Sequence, residues 1–168
     1  MNPYLSQTWF QALSHDQQDL VTQAHILIDR EKKDASGNFH DYSFIVFPMA
    51  KAYEGFLKQF FLDLGIITSA QFNSTHFRIG KRLNPDLPTR YRRSDWIVDL
   101  LDDACPNLSH VLWRAWRLYR NHLFHFFPEH TNFISLSEAE SGLKIISQAI
   151  KSADACSRLA NHNPNSVK

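Results

Sequence analysis

Within residues 42–64, Val46, Ala50, Tyr53, Leu57, Phe60, Phe61 and Leu64 recur at helical intervals, and Gly65 follows the last of them. At 3.6 residues per turn this spacing lays them in one stripe along a helix. A glycine directly after the stripe readily takes the left-handed conformation that ends a helix. Lys51, Glu54 and Lys58 interrupt the apolar run, so it is not a membrane span. Pro48 either opens this helix at its first turn or kinks it, which leaves the start at about residue 42 or at 48.

The same period returns along the chain. Leu20, Val21, Ala24, Leu27 and Ile28 follow Ser14, a suitable N-cap, and Ser36-Gly37-Asn38 ends that segment. Residues 7–13 read as a short helix of their own, as do 75–83, and 84–88 read as a proline-bounded loop. Ser94 caps a helix carrying Trp96, Ile97, Leu100 and Leu101, stopped before Pro106. A longer helix opens at Asn107 or Ser109, with Leu108, Val111, Leu112, Ala115, Leu118 and Tyr119 inward, and Pro128 closes it off. A last helix begins at Ser135 or Ser137 and runs to about residue 159. Ser137 and Glu140 have cap-like S-x-x-E spacing there, and Leu143, Ile146, Ala149 and Ile150 form its stripe. No strand pattern and no internal repeat is present. The expectation is an all-α bundle of four to six helices in a single domain, 1–160, with a polar, disordered tail at 161–168.

The 168 residues suffice for one domain with a real core, and five scattered glycines favour helices over a turn-rich sandwich. Thirteen phenylalanines and four tryptophans call for an aromatic-rich core or interface. A net charge of +1 argues against a strongly basic protein that coats DNA. Cys105 and Cys156 fit a reducing compartment better than a disulfide scaffold. The N-terminus lacks the charged and apolar blocks of a signal peptide, so the cytoplasm is the expected location.

Near the end of the longer helix stands Arg120-Asn121-His122-Leu123-Phe124-His125. A guanidinium holds a phosphate through two parallel hydrogen bonds, and an imidazole moves a proton near neutral pH. These are the groups a metal-free ribonuclease needs. Chance alone places roughly half such an R-x4-H pair in a chain of this composition, so context must carry the assignment. Five residues also put the two side chains about 140° apart on an ideal helix. They converge if the helix end distorts, if the arginine reaches round, or if two copies pool their groups. Asn121 and His125 are one turn apart and share a face. Arg117 and His122 form a second pair on another face, whose plain reading is a packed histidine beside a solvated arginine. His122, His125, His130 and Glu129 fall short of a convincing metal set, because His130 lies beyond Pro128 and a site needs three or four convergent ligands. No cofactor is expected. Arg78, Lys81, Arg82, Arg90, Arg92 and Arg93 make the most basic stretch, with Phe77 and Tyr91 among them. Such a stretch suits single-stranded RNA or an acidic protein partner. Alternatively it is a solvated loop neutralised by Asp95, Asp99, Asp102 and Asp103.

Ala50-Lys51-Ala52-Tyr53-Glu54-Gly55-Phe56-Leu57-Lys58, His76-Phe77-Arg78-Ile79-Gly80 and Tyr119-Arg120-Asn121-His122-Leu123-Phe124-His125 together resemble the HEPN superfamily. They look most like the C-terminal domain of RnlA/LsoA-type ribonuclease toxins of bacterial toxin–antitoxin systems, over about residues 41–150. In the larger toxins further domains precede this one. The resemblance implies a metal-independent, homodimeric endoribonuclease, a toxin or phage-defence effector, with an antitoxin protein as partner. It puts Arg120 and His125 in the active site, adds Glu54 from the earlier helix, and gives Asn121 the polar position after the arginine. His122 is a candidate proton donor. Read from sequence alone, Glu54 instead pairs with Lys58 one turn on. Phe127 stands where another branch of the superfamily carries a modifiable tyrosine. The rival expectation is a catalytically silent HEPN bundle that binds protein or nucleic acid.

Overall fold

In the computed structural model the described residues are 6–34, 39–92, 96–125, 128 and 132–162, with side chains described to residue 157 in the last helix. They form eight α-helices: α1 (Thr8–Gln11), α2 (His15–Lys33), α3 (Ser43–Asp63), α4 (Ser69–Asn73), α5 (Ile79–Leu83), α6 (Ile97–Ala104), α7 (Leu108–Trp116) and α8 (Leu136–His162). A π-helical turn, Arg117–His122, continues α7, and a 3-10 turn spans Thr89–Tyr91. No strand occurs among the described residues, so the fold is all-α. Five of the helices are eight residues or longer, and α1, α4 and α5 are single turns that raise the number above six.

The helix α3 is the axis of the bundle. It buries residues on most of its surface, among them Ile45, Met49, Tyr53, Leu57 and Phe61, and packs against α2, α8 and the π-helical turn. A helix apolar nearly all round belongs inside a fold. Pro48 lies inside α3, not at its first turn, and Gly65 ends the helix with φ of +70°, as its place after the stripe predicts. Tyr53 Oη donates to the carbonyl of Leu112 at 2.9 Å and so ties α3 to α7. Complete burial pushes this phenol well above its ordinary range, which keeps it a neutral donor.

Local signals place the helix starts. Ser14 accepts from Gln17 N, and the Gln17 side chain accepts from Ser14 N, a reciprocal cap for α2. Thr68 and Gln71 form the same box at α4, a helix the apolar pattern alone does not reveal. At α8 the box joins Ser135 and Glu138, and Glu140 instead meets Lys32 of α2 and Lys144. The last helix reaches His162, two residues into the expected tail, and 163–168 lie outside the described residues, as do the expected cap Ser94 and the expected stop 36–38. Val111 and Leu118, expected inward, are exposed, as is Leu100, whereas Trp96 is buried at the N-cap of α6.

Cys105, at the end of α6, is disulfide-bonded to Cys156 in α8. The expectation that the cysteines fit a reducing compartment is therefore corrected: packing of the helices brings together sulfurs 51 residues apart in the chain, a proximity that cysteine number cannot report. Cysteine usage then gives no support to a reducing compartment. No helix among the described residues is long and apolar enough to cross a membrane.

Candidate functional site

The helix α7 begins at Asn107, whose φ of 65° is left-handed, a conformation asparagine tolerates better than most residues. Asp102 accepts from both the backbone and the hydroxyl of Ser109 and fastens this start to α6. Asp102 is thereby used in capping, not in neutralising the basic loop. From Leu108 to Trp116 the helix is regular, and then it widens into the π-helical turn that contains Arg120 and Asn121. In a π-helix residues five apart are joined by the i→i+5 hydrogen bond, so a five-residue spacing comes closer to one full turn than it does in an α-helix. The turn loosens the helix at Arg120 and ends at His122, three residues before His125. Arg120, Asn121 and His125 all line a single cleft of about 660 Å³ in one chain.

Glu54 lines the same cleft from α3. Its Oε2 accepts from Arg120 Nε at 2.9 Å, with both side chains about two-thirds buried, and among the described residues this pair replaces the expected partner Lys58. A charge-assisted bond of that length fixes the guanidinium by its inner nitrogen. The Trp116 ring lies 5.5 Å from the Arg120 guanidinium carbon and supports it from a second side. Nη1 and Nη2, the pair that grips a phosphate, have no other protein partner among the described residues.

The opposite wall comes from α5 and the residue before it. Arg78, Lys81 and Gly80 line the cleft, and a Cβ on Gly80 would sit 2.5 Å from Trp116 Nε1. Glycine is required there for α5 to approach α7. Arg78 also donates to the carbonyl of Thr75 at 2.8 Å. Among the described residues Glu54 is the lone carboxylate in the lining, against Arg78, Lys81 and Arg120, so this lining favours anions.

Other expected residues stand elsewhere. His122 is exposed and does not line the cleft, and Arg117 lines a different cavity beside His110 and Trp113. Arg82 lines a smaller adjoining cavity. Arg90 stacks over Tyr91 at 4.9 Å and lines neither space. Arg92 is engaged structurally: it donates to the carbonyls of Leu87 and Pro85 at 2.7 and 3.0 Å, with its guanidinium 3.9 Å from the Trp96 ring centre. Arg93 and Asp95, with Phe126, Phe127, Glu129 and His130, lie outside the described residues. Among the described residues no group of three His, Cys, Asp or Glu side chains has a metal-binding arrangement.

Asn132 has no signature in the sequence. Its Nδ2 donates to the carbonyls of His122 and His125, both at 3.0 Å, and holds the end of the motif segment. Two residues on, Ile134 N donates to Asp41 at the start of α3, and Tyr42 N donates back to the Ile134 carbonyl. The His125 backbone is thus held by a chain of hydrogen bonds that leads through Asn132, Ile134 and Asp41 to the start of the central helix. Comparison of the chain with protein-family models, with curated proteins and with solved structures finds no match.

Proposed function

We propose that the chain is a metal-independent endoribonuclease of HEPN type, acting as a toxin or antiviral effector in the cytoplasm and restrained by a cognate antitoxin protein. The observation that carries this reading is the shared cleft: Arg120, Asn121 and His125 line one space, and Glu54 holds Arg120 by the nitrogen that phosphate binding does not need. An RNA strand enters with one phosphate facing Nη1 and Nη2 of Arg120. His125 takes the proton of the adjacent ribose 2′-OH, O2′ attacks phosphorus, and the P–O5′ bond breaks. Charge that builds on the phosphoryl oxygens is met by Arg120, with Asn121 as a further donor. The products are a 2′,3′-cyclic phosphate and a 5′-OH. Because His122 stands outside the cleft, the leaving oxygen takes its proton from His125 of a second copy.

Purified protein incubated with single-stranded RNA in excess chelator tests this. Cleavage is expected in chelator, and none of DNA, which lacks the 2′-OH. Arg120→Ala and His125→Ala should each abolish cleavage with helical circular dichroism unchanged, since neither residue fills the core. Full activity in either variant would remove the assignment. Absence of cleavage by the wild type would leave a binding bundle, the reading that the basic and aromatic surroundings of the cleft also favour.

A further inference from the structure

A second cavity, of about 240 Å³, adjoins the cleft and shares Phe77, Arg78, Lys81 and Leu87 with it. Aromatic rings from three places in the chain line it: Phe77 ahead of α5, Tyr91 in the 3-10 turn and Trp96 at the N-cap of α6. Among the described residues the remaining lining carries His76, Arg78, Lys81 and Arg82 and no carboxylate. We infer that this cavity is a base-binding subsite, which takes one unpaired nucleobase of the RNA strand next to the scissile linkage while Arg78 and Lys81 hold the phosphate between subsite and cleft. The inference rests on the ribonuclease reading for the identity of its strand.

Size, shape and charge support it together. Cavities for drug-sized molecules run from about 300 Å³ upward, so this one suits a single heterocycle and excludes a duplex or a partner helix. Single-stranded RNA is read by stacking splayed bases on aromatic rings and arginine planes while cations follow the backbone. Both kinds of platform line the cavity, with Arg82 lying 5.0 Å from the Phe77 ring centre. Trp96 is a rigid wall: it is 7% exposed, and Arg92 over it is tied to two loop carbonyls. Its indole N–H has no acceptor among the described residues. Tyr91 is the open wall, 51% exposed on a three-residue turn. Arg78 and Lys81 face both spaces, where the phosphate linking two nucleotides must pass. An acidic protein segment would satisfy the cations but leave the three rings without a role.

The test uses a 2′-O-methyl single-stranded tetranucleotide, which cannot be cut, with binding followed by fluorescence titration. Tyr91→Ala should weaken binding about tenfold, the usual loss when one stacking ring is removed, and Tyr91→Phe should not. Replacing one nucleotide by an abasic residue should cost the wild type a similar factor and cost Tyr91→Ala little further. Lys81→Ala should lower the slope of log affinity against log salt by about 0.7, as for one phosphate of a single strand. Equal affinities of wild type and Tyr91→Ala, or no binding by wild type, would overturn the subsite. So would displacement of the tetranucleotide by an acidic peptide together with indifference to the abasic position. RNA cleavage in a parallel assay separates the two ideas. Unchanged KM and kcat in Tyr91→Ala would sink the subsite and leave the ribonuclease standing, whereas base-dependent binding without any cleavage would do the reverse.

Discussion

Asn132 meets the carbonyl oxygens of both His122 and His125 with one amide nitrogen, at the point where a helix leaves its last carbonyls unpaired. Its removal should loosen His125 without touching the core. Asn132→Ala is expected to lower kcat for RNA cleavage roughly ten- to a hundredfold, the scale of a misplaced reacting group, with KM little changed. Asn132→Asp should be worse, because a carboxylate would face two carbonyl oxygens. Steady-state kinetics beside circular dichroism checks this, and wild-type kcat in both variants would show that His125 needs no such anchor. At this scale spacing and resemblance single out Arg120, His125 and Glu54, and all three line one cleft. The Glu54–Arg120 bond, across 66 residues, is not legible in the chain, and sequence alone points to Lys58 instead. Asn132 is invisible because its partners lie seven and ten residues upstream, beyond any local pattern.

Two cross-links between elements carry their own tests. Lys32 of α2 and Lys144 of α8 both hold Glu140, and their hydrogen bonds pull its carboxyl down to about 2. A carboxyl whose folded pKa lies below its unfolded one stabilises fully above about pH 4.5, and that contribution is lost as pH falls toward 2. Urea midpoints of Glu140→Gln and wild type should therefore differ at pH 6 and converge by pH 2. A constant difference across that range would refute the linkage. The Cys105–Cys156 bond closes a 51-residue separation, for which the chain-entropy estimate is about 4 kcal/mol. Reduction should lower the thermal midpoint by up to about 10 °C, read by differential scanning calorimetry with and without reductant. An unchanged midpoint would mean that the bond adds nothing to the fold. Helix starts at Ser14 and stops at Gly65 were readable because capping involves neighbours three residues apart. The widening of α7 into a π-helical turn was not, since such a turn depends on what α7 packs against.

On the surface of the whole molecule, Phe39, Phe47 and Phe133 are 57%, 55% and 43% exposed, and Phe47 meets Phe124 edge-on just beyond the motif turn. Leu123 is buried and Phe124 half-buried within the chain's own bundle. Exposed aromatics of this kind often mark interfaces. The dimer expected from the resemblance should therefore use them and scatter light as twice the 19.6 kDa chain at micromolar concentration. Phe47→Glu should give a folded monomer that binds RNA but cleaves it at least about a hundredfold more slowly, for want of the second histidine. A wild-type monomer would refute the dimer, and a fully active Phe47→Glu monomer would place both proton transfers in one chain. The amino-acid sequence by itself determined that this protein is a helical bundle, where most helices start and stop, and that an arginine and a histidine five apart lie near a helix end. Periodicity and capping are short-range, so they survive without the fold. Only the tertiary structure decided that those two groups face one cleft, that Glu54 grips the arginine, that the cysteines are joined and which phenylalanines reach solvent. Each of these depends on the approach of helices far apart in the chain, and packing sets that distance.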